Sequence, residues 1–131
     1  MLGANMSAYC GLDTCTVGLN SLKARLAPSL ALWADVILNP SFPAEEIDRQ
    51  RQQVLGQIMQ EKQQPMGMAF RILPSLIFGD DHPYGQPLTG TGTEATVKAI
   101  TRDGLVRFHD TWFRPNNATL LITGDTTMKE I

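Results

Sequence analysis

A helix running from Pro43 to about Gln64 constrains this chain most, because its side chains sort into one apolar stripe and one polar strip. Pro43 opens it, and Glu45 and Glu46 place negative charge in the first turn, where the helix dipole favours it. The glutamine-rich body tolerates helix well without adding charge. Ile47, Val54 and Ile58 make the apolar stripe. Gln50 and Gln57 lie two turns apart and, at about 100° per residue, differ by only about 20° around the axis. They flank the buried face as one polar strip. A carboxylate at either position could bind a cation or move a proton, whereas a neutral amide is a poor zinc ligand and no general base.

Upstream, 5–10 and 14–20 are small, β-branched or alternating around Gly11-Leu12-Asp13, which predicts an antiparallel strand pair. Pro28 suits the first turn of a following helix, in which Leu30, Trp33, Ala34 and Ile37 repeat at helical spacing until Asn39-Pro40 stops it. Downstream, a helix over 65–78 is expected to bury Met66, Phe70, Leu73 and Ile77 and to kink at Pro74. The turn-rich segment 79–87 follows, and Thr91-Gly92-Thr93-Glu94 reads as a capping box opening a short helix. Thr101 caps the next helix, with Leu105, Phe108 and Trp112 on one side, and 118–123 reads as a last strand. This order predicts an α+β fold, a two-layer sandwich with helices packed on one face of a mainly antiparallel sheet. Three strands would leave unpaired edges, so self-association or element swapping is expected.

A length of 131 residues fits a single domain, 1–131. A net charge of −2 without a Lys or Arg cluster points away from nucleic acid and anionic membranes. The apolar stretch Leu26 to Leu38 is interrupted by Pro28 and Asp35 and falls far short of the roughly 20 residues of a membrane span. The first residues lack a secretory signal pattern, so an export signal would lie outside this sequence, and a parent carrying one would be periplasmic or membrane-associated. Cys10 and Cys15 read as small strand residues, although a hairpin closing between them would bring them within reach of a disulfide. His82 reads as a turn residue working with Tyr84, His109 as a half-buried helix residue whose neighbour Asp110 points elsewhere, and Asp80-Asp81 as a weak cation site.

Leu38-Asn39-Pro40-Ser41-Phe42, Glu45-Glu46-Ile47-Asp48-Arg49-Gln50-Arg51, His82-Pro83-Tyr84-Gly85-Gln86-Pro87, Gly90-Thr91, Arg114-Pro115-Asn116-Asn117-Ala118 and Gly124-Asp125 occur in that order. The series resembles the insulinase/pitrilysin family of zinc metallopeptidases, the inverzincins, which include the mitochondrial processing peptidases. Active members bind zinc through H-x-x-E-H and a later glutamate within a segment of the type E-R-E-R-x-x-V-L-x-E-I. On that pattern Gln57 stands at the third ligand and Gln50 at the second acidic position, and H-x-x-E-H is absent. The resemblance thus implies an incomplete metallopeptidase fold with no catalytic residue and no metal ligand in this chain, a truncated inactive module. Zinc would sit in a homologous active domain or subunit, and this module would complete the chamber that holds peptide substrate. The alternative it implies is a structural or assembly subunit that has left proteolysis. A displaced glutamate ligand, Glu45, Glu46 or Glu61, would instead make the module active.

Overall fold

The computed structural model describes residues 2–127 and 129–130. The elements are β1 (Asn5–Cys10), β2 (Cys15–Asn20), α1 (Leu26–Leu38), α2 (Ala44–Lys62), α3 (Pro65–Phe78), α4 (Glu94–Ala99) and α5 (Arg102–Trp112). Short 3₁₀ turns occupy Lys23–Arg25, Pro83–Gly85 and Pro115–Asn117. The fold is α+β: β1 and β2 form a two-stranded antiparallel sheet, and helices make up most of the rest. Residue contacts separate the chain into two units, one of Met1–Tyr9, Cys15–Ser41 and Arg107–Ile131, the other of Cys10–Thr14 and Phe42–Val106.

In the first unit α1 packs on β2. Leu30, Trp33, Ala34 and Ile37 are the half-buried line expected from their spacing, while Leu32, Val36 and Leu38 between them stay exposed. The Trp33 indole N–H donates to the Val17 carbonyl at 3.2 Å, so the ring's polar edge is satisfied where its body is covered. Ser29 is buried and donates to the Arg25 carbonyl at 2.7 Å, one turn back. The His109 Nε2–H donates to the Ile37 carbonyl at 2.7 Å, and the ring stacks on Phe113 at 5.2 Å.

The second unit centres on α2, which meets α3 and α4. Ile58 has no solvent exposure and Val97 of α4 is buried, and Ile47 and Val54 are half-buried beside Ile58 on the expected stripe. Pro65 starts α3 where a missing N–H costs nothing. Glu94 pairs with Lys62 at 2.6 Å, tying the start of α4 to the end of α2.

Four expectations need correction. First, the apolar residues foreseen as the buried side of α3, Met66, Phe70, Leu73 and Ile77, are 44% to 65% exposed. The inward line is Gly67, Met68, Arg71, Pro74 and Ser75, with Pro74 fully covered. The period was legible and the phase was not, because α3 is apolar nearly all round and a buried charge fixes its rotation. On α5 the same happens on a smaller scale: Leu105 and His109 are half-buried, as is Phe113 just past its end, while Phe108 and Trp112 face out. Second, 118–123 forms no strand among the described residues, because nothing supplies a ladder to it, and Leu121 is 86% exposed. Third, both cysteines are disulfide-bonded, so neither is simply a small strand residue. The turn closes by Gly11 N–H to the Thr14 carbonyl at 2.8 Å, and residues facing each other across neighbouring strands come within bridging distance. Fourth, the capping box of α4 starts at Thr93: its hydroxyl accepts from the Thr96 N–H at 3.1 Å, and the Thr96 hydroxyl accepts from the Thr93 N–H at 3.0 Å.

Candidate functional site

The polar strip of α2 is where sequence alone places the question of chemistry. Gln50 and Gln57 are both exposed, flanking the apolar stripe of Ile47, Val54 and Ile58. Around them the helix surface is laced by charge pairs: Arg49 to Glu46 at 2.8 Å, and Arg51 to Asp48. Arg51 also reaches across the unit and donates to the Ile100 carbonyl at 2.7 Å. Arg102 donates to the carbonyl of Phe42 at 3.1 Å, where the chain enters α2 with a φ of 47°, a left-handed value unusual for a bulky side chain.

The most buried charges in the second unit lie one turn beyond the strip. Glu61 and Arg71 retain 13% and 9% side-chain exposure and pair at 2.7 Å between α2 and α3. Arg71 also donates to the Thr91 hydroxyl at 2.8 Å and to the Gly92 carbonyl at 2.6 Å, and Thr91 donates to Glu61 at 2.9 Å. Thr89 closes the set at 2.9 Å from Thr91. Burial pushes the Glu61 carboxyl up, but hydrogen bonds from Arg71, Thr91 and Thr89 and the Arg71 charge outweigh it and hold the group below its ordinary value. Gly67 permits this approach, since a Cβ there would run into the Glu61 carbonyl. Sequence reasoning missed this network. Glu61 and Arg71 sit on separate helices at no repeating spacing, and Thr91 looked like a cap.

A hollow of about 400 Å³ opens beside the network, lined by Lys62, Arg71, Ser75, Asp80, Gln86 and Thr93. Both of its cations are already paired, Lys62 with Glu94 and Arg71 with Glu61, so an arriving anion would have to displace a carboxylate.

His82 works within its turn. Its Nδ1 accepts from the Tyr84 N–H at 3.1 Å, and its ring stacks on Phe78 at 5.3 Å. The Tyr84 hydroxyl donates to Asp13 at 2.6 Å, and that hydrogen bond, with the carboxylate's charge, raises the phenol above its ordinary value. His109 does approach Asp110, at 3.3 Å, so the two adjacent side chains converge where helix geometry alone predicted divergence.

A sequence profile of the insulinase peptidases (Peptidase family M16) matches residues 1–92, well over half of the chain. This chain belongs to the M16 peptidase family. It is similar to a zinc protease of Rickettsia bellii, 27% identical over 130 residues that cover 99% of this chain and 31% of that protein. A zinc protease of Mycobacterium leprae is 26% identical over 99% of the chain and 28% of its own length. The probable mitochondrial-processing peptidase subunit beta of Schizosaccharomyces pombe is 21% identical over 98% of the chain and 28% of its own. The M16 chain therefore spans under a third of the length of these relatives.

Relatives named zinc proteases raise the question of whether this M16 chain has residues that fit zinc. Among the described residues no three His, Cys, Asp or Glu converge as a metal site. His82 and His109 are engaged as above, Glu46 faces Arg49, and Glu61 is held by Arg71 and Thr91. The exposed strip offers two neutral amides. Such donors do not fit catalytic zinc, which takes imidazole, thiolate and carboxylate. No helix among the described residues is long and apolar enough to cross a membrane.

Proposed function

We propose that this chain is a catalytically inactive module of an M16 zinc peptidase assembly, one that completes the substrate chamber and supports peptide binding for an active, zinc-bearing homologous domain or subunit. The observation that carries the reading is Gln57, with Gln50, at the positions where the family pattern places carboxylates. Replacing carboxylate by carboxamide keeps the shape of the side chain and removes both its charge and its basicity. The geometry supports this. The two amides share one exposed strip while Ile47, Val54 and Ile58 turn inward, the disposition a former ligand face would keep after losing its charge. Glu61, the nearest candidate for a displaced ligand, serves an ion pair instead. In this reading residues 1–131 act as one module, and the disulfide-bonded cysteines favour a parent exported to an oxidising compartment, periplasmic or membrane-associated.

The test is the zinc content of the parent protein, measured by metal mass spectrometry with and without this module. Full retention of zinc without the module is the expected result; loss of zinc with it would overturn the reading. Gln57→Glu in this chain alone should produce no peptide cleavage.

A further inference from the structure

We propose that the disulfide at the hairpin tip is a redox clasp that sets the hold of Asp13 on the Tyr84 loop. Three observations converge. Cys10 and Cys15 are disulfide-bonded, and the Gly11 N–H to Thr14 carbonyl bond at 2.8 Å closes the turn between them. Every residue from Cys10 to Cys15 is exposed, so a reductant reaches the bridge without the helices opening. From this short turn Asp13 accepts the Tyr84 hydroxyl at 2.6 Å, a contact between residues 71 positions apart. Tyr84 belongs to a small aromatic set with Phe78 and His82, at ring separations of 6.0 and 5.7 Å, and its N–H is held by His82. A single exposed hydrogen bond cannot by itself order a hairpin tip, because fixing each residue costs more than the bond returns. The bridge removes that cost in advance, presenting Asp13 in place.

Reduction proceeds by thiol–disulfide exchange with a dithiol. Its thiolate attacks one sulfur, the S–S bond breaks, and a mixed disulfide forms. The second thiol of the reductant then displaces the protein sulfur. Two electrons pass to the protein, Cys10 and Cys15 end as thiols, and the reductant ends as a cyclic disulfide. The freed turn then samples many conformations, and Asp13 leaves Tyr84.

Tyr84 itself reports the state. The chain has two tyrosines, so a Tyr9→Phe protein carries Tyr84 as its one phenol, and its ionisation is followed by absorbance at alkaline pH, oxidised and after reduction by a phosphine. The expected result is a fall of the Tyr84 midpoint toward its ordinary value on reduction, with far-UV circular dichroism unchanged. In Asp13→Asn the oxidised midpoint is already low and reduction moves it no further. An unchanged midpoint on reduction, a shift that persists in Asp13→Asn, or loss of the whole helical signal on reduction would each overturn the proposal.

Discussion

Helices α1 and α3 are of similar length and both rich in apolar residues, yet one shows its inward face in the sequence and the other conceals it. In α1 the half-buried line of Leu30, Trp33, Ala34 and Ile37 is the apolar repeat itself, and Asp35 lies exposed off that line. In α3 apolar residues occur on every side, and the inward line carries Arg71 while Phe70, Leu73 and Ile77 look outward. Hydrophobic pattern sets rotation only where polar residues mark the other side. Where they do not, the most demanding group decides. A buried guanidinium has to meet its carboxylate, and α3 turns until it does.

If Arg71 sets the rotation of α3, removing it should hurt most. Arg71→Met leaves the Glu61 carboxylate covered and unpaired, and a loss of about 3 kcal/mol is expected by urea denaturation. A loss under about 1 kcal/mol would mean that packing alone orients the helix. Gly67→Ala comes next, at about 2 kcal/mol, since the new methyl meets the Glu61 carbonyl and forces the helices apart. Trp33→Phe, which deletes the indole donor to Val17, should cost about 1 kcal/mol and mark what a neutral contact contributes in the α1 region. The smallest effect is expected for Ile77→Ala, about 0.5 kcal/mol at its exposed position, against a clearly larger loss for Ile37→Ala. Equal losses at the two isoleucines would break the comparison.

Acid sharpens it further. The Glu61 carboxyl titrates below its ordinary value of 4.5 in the fold, so the unfolded chain binds that proton first as pH falls. The stabilisation is therefore complete above the unfolded value and lost as pH drops through the folded one. The stability gap between the natural chain and Glu61→Gln should narrow steadily as pH falls through the unfolded value of 4.5 and on below it. A gap independent of pH would show that Glu61 does not titrate differently in the two states.

Much of the fold was legible because punctuation is local. Pro65 and Gly79 bound α3 where expected, Asn39-Pro40 ends α1, and Thr101 caps α5 by accepting from the Gly104 N–H at 3.1 Å. Thr91 misled because a cap signature is a spacing. The structure uses Thr93 for the helix and draws Thr91 into the buried pair. The strip of Gln50 and Gln57 was fully visible, since two residues seven apart on one helix need no tertiary knowledge. The Glu61–Arg71 network, and the reach of Asp13 to Tyr84, depend on segments that meet only after folding.

The extended stretch 118–123 gives this chain a fast clock. Beyond Ala118, whose N–H meets the Pro115 carbonyl at 3.4 Å, these amides have no backbone acceptor among the described residues. They should exchange with deuterium close to the chemical rate, while amides beside Ile58 in mid-α2 wait for the helix to open. Any strand that settles against Leu120 and Leu121 would slow those amides by its own residence, so exchange there times the visitor directly.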